Sequence, residues 1–586
     1  MRILVIISKQ MSIAKRIAIV GLGPRGLSAL ENLMIESQRS GILNQIDLIL
    51  FEESPHLGNG PVYAIDQPES NWINITERIL VLDKRPEITF ANYIVPEFPS
   101  YHEWAGIRPS DISGNEPDTF PPRAKVGKYL NERFHSLFDA IQPGEKLQLI
   151  NERVQKIQVK SQTTLKIKLI SGKAFEANEV LLAIGHQPTF DDEQIKEWHN
   201  FFQNNPAVHL CKEPYPVEGI LMNPLLEKNC SVAIRGFGLA MMDVVRAIAL
   251  QFGEFNSRNK QLSYVKTSDI KIVIYPFSLD GLPMSPKPLN KAIDNSFKPS
   301  KEQKRRFAEL IGDKKKQEQA GSADFLIQAI SPIVADIYLT IHNNHESLTP
   351  EDVQDVMANW LRDESYKHEL LTSSSLSAKE MMIQYVRMAT AELKTNLNYC
   401  LGQVWRHCQP ILYKELSYNE CSEEVLAELI KLDERIKRYS YGPPVESIQQ
   451  LLALSEAGII DLSFVNNPDI EINKDGWLLK KNNEQSSVSL MIDSVLDSPK
   501  LKKIDSSIIK ELLNDELIEP IHSKLGVLTN EEGIVLSSEN KENLPIAILG
   551  RLAKGTLIGV DAILECFGDR PNKWAKGVIK RLGIPD

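Results

Sequence analysis

Two stretches of this chain run from an apolar segment through a glycine turn into a helix-like segment. They are IAIVGLGPRGLSAL, from Ile17 to Leu30, and SVAIRGFGLAMMDVV, from Ser231 to Val245. An apolar run without polar alternation suits a strand buried on both faces of a parallel sheet. One GxG string arises by chance in a long chain. Two in strand–turn–helix context point to an α/β fold with two Rossmann-like dinucleotide-binding domains.

In the first stretch Gly21, Gly23 and Gly26 fit GxGxxG. Gly21 permits the tight turn, Gly23 lets a pyrophosphate approach the backbone, and Gly26 lets the helix pack close to the strand. That helix, through about Gln38, opens with Pro24 and Arg25 and points its positive end at the phosphates. A second strand, Ile46–Phe51, ends at Glu52, whose carboxylate suits the two hydroxyls of a ribose. Glu52 falls 31 residues after Gly21, and the polar stretch Glu36–Gln45 absorbs the excess over the roughly 20-residue spacing of minimal units.

A second glycine-rich loop follows, HLGNGPVYA (His56–Ala64), with Gly58 and Gly60. After it come NWINI (Asn71–Ile75), which holds Asn74, and FPPRAKVGKYL (Phe120–Leu130), which holds Arg123. A plain NAD dehydrogenase needs no such loop after its ribose acid. A chain running along an extended FAD toward the flavin ring does.

In the second stretch Val232–Ile234 is the strand, Gly236 and Gly238 form the turn, and Leu239–Leu250 continues as helix, with Met241 at the sixth position of the pattern. Arg235 either reaches a phosphate or closes the strand. The strand Ile270–Tyr275 leads into PFSLDGLP (Pro276–Pro283), which has no arginine for a 2′-phosphate; the choice between NADH and NADPH stays open. A bare sheet scaffold without ligand is the alternative reading of this unit.

At 586 residues the chain exceeds the size of one growing core. From about Lys301 to Leu454 glycine nearly disappears and Lys, Glu, Leu and Gln recur at helical spacing, which reads as an all-helical insertion with solvated charged faces. Within it, His407 between Trp405, Arg406 and Cys408 reads as structural. Strand-like text returns in SLMIDSVLDSP (Ser489–Pro499) and in a strand–glycine–helix unit, Asn543–Phe567.

A net charge of −10 argues against nucleic acid or an anionic membrane as partner. The six cysteines form no CxxC pair and no metal-like spacing, so they read as buried thiols in a reducing cytoplasm. No apolar run approaches the roughly 20 residues of a bilayer span. Met1–Ser8 is short for a signal h-region, and Met1–Gln10 reads as an extension ahead of a start at Met11.

Taken together, GPRGL, the FEESP…GNGPVY run, NWINI and PPRAKVGKYL resemble the bacterial FAD/NAD(P)-binding protein family, related to flavin-dependent N-hydroxylating and Baeyer–Villiger monooxygenases. VLLAIGHQP (Val180–Pro188) is similar to the family's strand and ATGH segment, with Ile184 where threonine is usual, and it brings in Gly185 and His186. Asp243, two places past the bulky Met241, also matches. The resemblance implies a last strand ending at a glycine turn near the flavin, with Gly550, Gly555 and Thr556, and a helix whose N–H groups face the pyrimidine carbonyls. Arg551 stands where many flavoproteins carry aspartate.

The expected division is 12–190 for the first part of the FAD domain, 191–300 for the NAD(P) domain, 301–454 for a helical cap, and 455–586 for the closing part of the FAD domain. The implied activity is an FAD-dependent oxidoreductase reduced by NAD(P)H, a monooxygenase on a small molecule through a C4a-(hydro)peroxyflavin, with N-hydroxylation among its chemistries. No side chain is assigned as catalytic, and the sequence gives no oligomeric state. The rivals are a dinucleotide-dependent sensor or scaffold, motivated by Met241, Ile184 and Arg551, and a flavin dehydrogenase or oxidase reduced by its own substrate.

Overall fold

The computed structural model describes residues 14–582 apart from 91, 113, 142–145, 259–260, 344–347, 497 and 539–543. The expected start at Met11 lies outside the described residues.

The chain opens with β1 (Lys15–Val20), whose last four residues are buried, and α1 (Pro24–Arg39). Gly23 caps α1 and Pro24 takes its first turn, where no backbone N–H is needed. β2 (Ile46–Phe51) returns parallel to β1, pairing Val20 with Phe51. After the two loops comes α2 (Arg123–Phe138), then β3 (Leu147–Ile150) and β4 (Glu179–Leu182). Between those strands, Val154–Ser161, Thr164–Leu169 and Ala174–Ala177 form a separate antiparallel sheet.

The second domain holds β5 (His209–Cys211), β6 (Cys230–Arg235), α3 (Leu239–Phe252) and β7 (Ile272–Phe277). β6 and β7 are parallel. Among the described residues eight helices follow, from Lys301–Ile311 to Val445–Glu456; most fold around a core of their own, while Ile448, Leu451 and Leu454 of the last join the core of the second domain. Ser300, Thr349 and Ser377 open helices with reciprocal capping boxes, a local reason why these polar stretches start helices where they do.

One of the eight, α4 (Asp324–His342), corrects the reading that no run is long and apolar enough for a bilayer span. By length and composition it qualifies, yet Leu326, Ile330 and Val334 are wholly buried in the helical core. The longest later helices here are α5 (Leu397–Glu415) and α6 (Glu423–Ser440), which pack on each other. Of the six cysteines, Cys230, Cys400 and Cys408 are buried, while Cys211, Cys421 and Cys566 are half-buried rather than buried; all six are free thiols.

The last stretch departs from the expected boundary at 455. β8 (Leu490–Asp493) lies between β5 and β6, so the second sheet runs β5-β8-β6-β7, all parallel. Leu490, Met491 and Ile492 are fully buried, and an apolar strand of this kind is stable only inside a sheet covered on both faces. The closing part of the first domain therefore begins after β8. There β9 (Ile546–Ile548) pairs with β4 and gives the order β9-β4-β1-β2-β3. Finally α7 (Asp569–Arg581) lies along α1 and buries Trp574 and Val578 against the same core.

Candidate functional site

Both glycine turns sit at the C-terminal ends of parallel strands, where open α/β sheets bind ligands. They are built alike. The Gly21 N–H donates to the Phe51 carbonyl at 2.8 Å, and the Gly236 N–H donates to the Phe277 carbonyl at 2.7 Å. Gly21 has φ +91° and Gly236 has φ +115°, which side-chain-bearing residues rarely adopt. A Cβ on Gly26 would lie 2.0 Å from the Gly21 carbonyl oxygen, so α1 reaches β1 only because that atom is missing.

Gly23 and Gly238 differ from these. A Cβ on Gly23 would meet only the Gly60 Cα, at 3.8 Å, and one on Gly238 only the Met284 Sδ, at 3.9 Å. The protein leaves space in front of both, which is what a pyrophosphate against the backbone needs. The second loop completes the first cradle. A Cβ on Gly58 (φ +82°) would overlap Leu130 and Phe134 of α2, and the Gly58 N–H donates to the Leu22 carbonyl at 2.7 Å. Asn59 is fully buried there, and its Oδ1 has no hydrogen-bond partner. Room beside Gly23 and an unpaired acceptor in the loop both fit the phosphate and sugar of a dinucleotide.

Glu52 stands at the end of β2 as its expected ribose role requires. Its Oε2 accepts from the Leu22 N–H at 2.7 Å and its Oε1 from Ser54. Gly185 (φ +64°) follows β4 with open space where a Cβ would point, and His186 beside it is exposed.

Other expected contacts go elsewhere. The Arg25 guanidinium donates to the Val560 and Glu565 carbonyls and sits against Gly550 (φ +103°), so it clamps the C-terminal loop. Gly555 (φ +113°) packs on Ile521 and Leu525. Thr556 is buried, and its hydroxyl donates to the Val527 carbonyl and accepts from the Thr529 N–H, which points it into the core and corrects its placement at a cofactor. A short turn, Arg551–Ala553, follows Gly550; the next helical residues are the single turn Ile563–Cys566, and α7 begins at Asp569. The expected helix N-terminus directly after that glycine is therefore absent; Leu552 and Ala553 are drawn into the core instead.

Arg123 and Asp243 bind each other across the two domains at 2.7 Å. Asp243 also accepts from the Tyr215 hydroxyl at 2.7 Å and from Arg246 at 3.3 Å, and Arg123 lies over the Tyr215 ring. Burial works against the Arg123 charge, yet Asp243 outweighs it and holds the guanidinium above its ordinary range. Arg246 in turn donates to the Ser70 carbonyl and stacks on Trp72. Beside this cluster a small, narrow cleft is lined by Trp72, Asn74, Leu239, Asp243, Arg246 and Pro443. Asn74 donates to the Tyr441 carbonyl at 3.1 Å. Arg235 ends its strand between Asp493 and Asp192 at 2.9 and 2.6 Å, away from any phosphate role. Of these residues Tyr215 and Arg246 escape sequence reading; the spacing of Asp243 and Arg246 on one helix face was the available signal.

This geometry defines a flavoprotein-type fold with two dinucleotide cradles. Residues 18–187 match the model of the FAD-NAD(P)-binding family. The chain is 24% identical over 570 residues to a nitrosuccinic acid synthase of Aspergillus oryzae, covering 89% of this chain and 84% of that one. It is 24% identical over 350 residues to an L-aspartate N-monooxygenase (nitrosuccinate-forming) of Streptomyces cremeus, covering 54% of this chain and 49% of that one. The reduced form of an ornithine hydroxylase of Pseudomonas aeruginosa superposes with a TM-score of 0.47 at 10% identity, covering 97% and 100% of the two chains.

Proposed function

We propose that this chain is an FAD-dependent oxidoreductase, reduced by NAD(P)H, that oxygenates the amine nitrogen of a small molecule. The observation that carries this is the pair of open glycine turns, each at the mouth of its own parallel sheet. Gly21, Gly23, Gly60 and Glu52 would hold the FAD tail, and Gly236 and Gly238 the NAD(P)H tail. FAD when bound supplies a hydride acceptor and a centre for oxygen activation.

The chain's own residues supply position and dryness. The Arg123–Asp243–Tyr215–Arg246 cluster ties the two domains and fixes the distance between cradles. Trp72, stacked under Arg246, closes one wall of the cleft to water. The nitrosuccinic acid synthase and N-monooxygenase relatives support nitrogen as the oxidised atom, and the free thiols fit a reducing cytoplasm.

The test is spectroscopic and isotopic. The purified protein is expected to be yellow, to bleach anaerobically with NADH or NADPH, and to place ¹⁸O from labelled dioxygen on the nitrogen of an amine such as L-aspartate. An oxidised spectrum indifferent to both reductants would overturn the enzyme reading in favour of a sensor.

A further inference from the structure

The two cradles correspond residue for residue. Just past β4 the Ala183 N–H donates to the Val20 carbonyl, and just past β8 the Ser494 N–H donates to the Arg235 carbonyl, both at 2.8 Å. On the other side Gly21 bonds to Phe51 as Gly236 bonds to Phe277. The next residue in each case again donates its N–H outward, Glu52 to the Ile150 carbonyl at 3.2 Å and Ser278 to the Val465 carbonyl at 2.9 Å. Ser278 therefore takes in the second cradle the place that Glu52 takes in the first. At that place a Rossmann unit tells a ribose with two free hydroxyls from one carrying a 2′-phosphate. A carboxylate accepts from the hydroxyls, whereas the phosphate needs a cation.

Ser278 brings no charge, but the turn it opens does. Its hydroxyl donates to Asp280 Oδ1 at 3.4 Å, and the Leu282 N–H donates to the same oxygen at 3.0 Å. The Gly281 N–H donates back to the Ser278 hydroxyl at 3.0 Å, so the turn holds the carboxylate in one place. A Cβ on Gly281 (φ +63°) would stand 2.6 Å from the Asn466 Cβ, because the turn is pressed against that residue. Leu279 is 87% exposed and its side chain carries neither charge nor donor. Among the described residues two cations bond to this turn or to the Asn466 and Asn467 backbone beside it. Arg438 of α6 pairs with Asp280, whose side chain is 44% exposed. Lys481 donates to the Asn467 carbonyl at 3.4 Å. The first cation is thus engaged by a carboxylate and the second by backbone.

We infer that Asp280 selects the coenzyme of the second cradle, admitting a ribose with a free 2′-hydroxyl, so that the reductant is NADH rather than NADPH. The inference rests on the reading of Gly236 and Gly238 as a nicotinamide nucleotide cradle. A 2′-phosphate is a dianion, and it would arrive beside a fixed carboxylate that already holds Arg438. Like charges brought together in this way exclude the wrong ligand more strongly than a missing contact does. A free hydroxyl meets no such repulsion and finds acceptors in the Ser278 hydroxyl and the Asp280 carboxylate. Glu52 and Asp280 thus give both cradles the same preference, one from the strand end and the other from the turn after it.

The experiment is calorimetric titration of the purified full chain with ADP-ribose and with its 2′-phosphorylated form, which carry the tails of NADH and NADPH without the nicotinamide. ADP-ribose is expected to bind more tightly by about tenfold or more. Asp280→Asn, a near-isosteric change in an exposed turn, removes the repelling charge and frees Arg438. It is expected to strengthen the 2′-phosphorylated ligand about tenfold while moving ADP-ribose by no more than about threefold. Asp280→Lys is expected to reverse the order of the two ligands. A variant that shifts both ligands together would mark Asp280 as a residue of the fold alone and overturn the inference. Tighter binding of the 2′-phosphorylated ligand to the wild-type chain, or a ratio that Asp280→Asn leaves unchanged, also overturns it and leaves the nucleotide cradle standing. If neither ligand binds to yellow protein, or if Gly238→Ala does not weaken ADP-ribose, the cradle fails and the inference with it.

Discussion

Gly23 and Gly60 face each other across the first cradle: a Cβ on Gly60 would stand 3.2 Å from the Gly23 Cα. The turn after β1 and the loop after β2 thus meet backbone to backbone, and the space they leave opens outward from Gly23. Pro24 lies 3.6 Å from the same Gly60 position, which fixes the mouth of α1 against the loop.

Gly23 has φ −68°, a conformation alanine adopts readily, and its Cβ would have no close protein neighbour. Gly23→Ala is expected to change stability by no more than about 1 kcal/mol, while the purified protein loses its flavin. Gly26→Ala makes the contrast, because a Cβ 2.0 Å from a carbonyl oxygen forces α1 off β1 at a cost of about 3 kcal/mol. Flavin-to-protein ratio and thermal unfolding, measured on both variants, separate a lost ligand from a lost fold. A fully yellow Gly23→Ala would displace the first cradle.

Gly238→Ala places its methyl 3.9 Å from Met284, again an ordinary contact. The variant is expected to keep its flavin and fold but to be reduced at least tenfold more slowly by NAD(P)H in stopped-flow traces. Unchanged reduction would remove the second turn from nucleotide binding.

The Arg123–Asp243 pair is almost wholly buried, with side-chain exposures of 14% and 6%. Replacing Asp243 with leucine leaves Arg123 without its ion-pair partner, and is expected to destabilise the protein by about 3–5 kcal/mol. Arg123→Met with Asp243→Leu should recover a large part of that loss. Denaturant unfolding of the singles and the double gives the coupling directly.

Asp493 gives a pH signature. Burial lifts its carboxyl to about 6 even though Arg235 pulls the other way. Because the folded value lies above the ordinary aspartate value of 3.8, the unfolded chain gives up this proton first. The contribution is complete below about pH 4 and is lost as pH rises through 6. Wild-type stability, relative to Asp493→Asn, is expected to fall by up to about 3 kcal/mol between pH 4 and pH 8. Parallel curves for the two proteins would show that Asp493 is not perturbed.

Both glycine turns, their flanking strands and the helical insertion were legible from local pattern. IDLILF, for example, predicts β2 to the residue, because an apolar run between polar flanks leaves little choice. The insertion was legible because capping boxes and spacing are local signals. The position of β8 was not, since SLMID reads equally well in either sheet and only packing against Val232 and Ile234 decides it. Arg123 and Asp243 were legible as special, but their bond to each other was not: each fits a cofactor motif alone, and the bond spans 120 residues of sequence.

The pairing of β9 with β4 joins Ile546 to Val180. A ribosome making this chain must emit several hundred residues, including the whole second domain and the helical core, before the first sheet acquires its fifth strand. Until then β4 presents a bare row of amide and carbonyl groups, an invitation to foreign strands. The sheet that opens the polypeptide is thus the last to be completed, and a chain cut short before Ile546 keeps that edge unsealed.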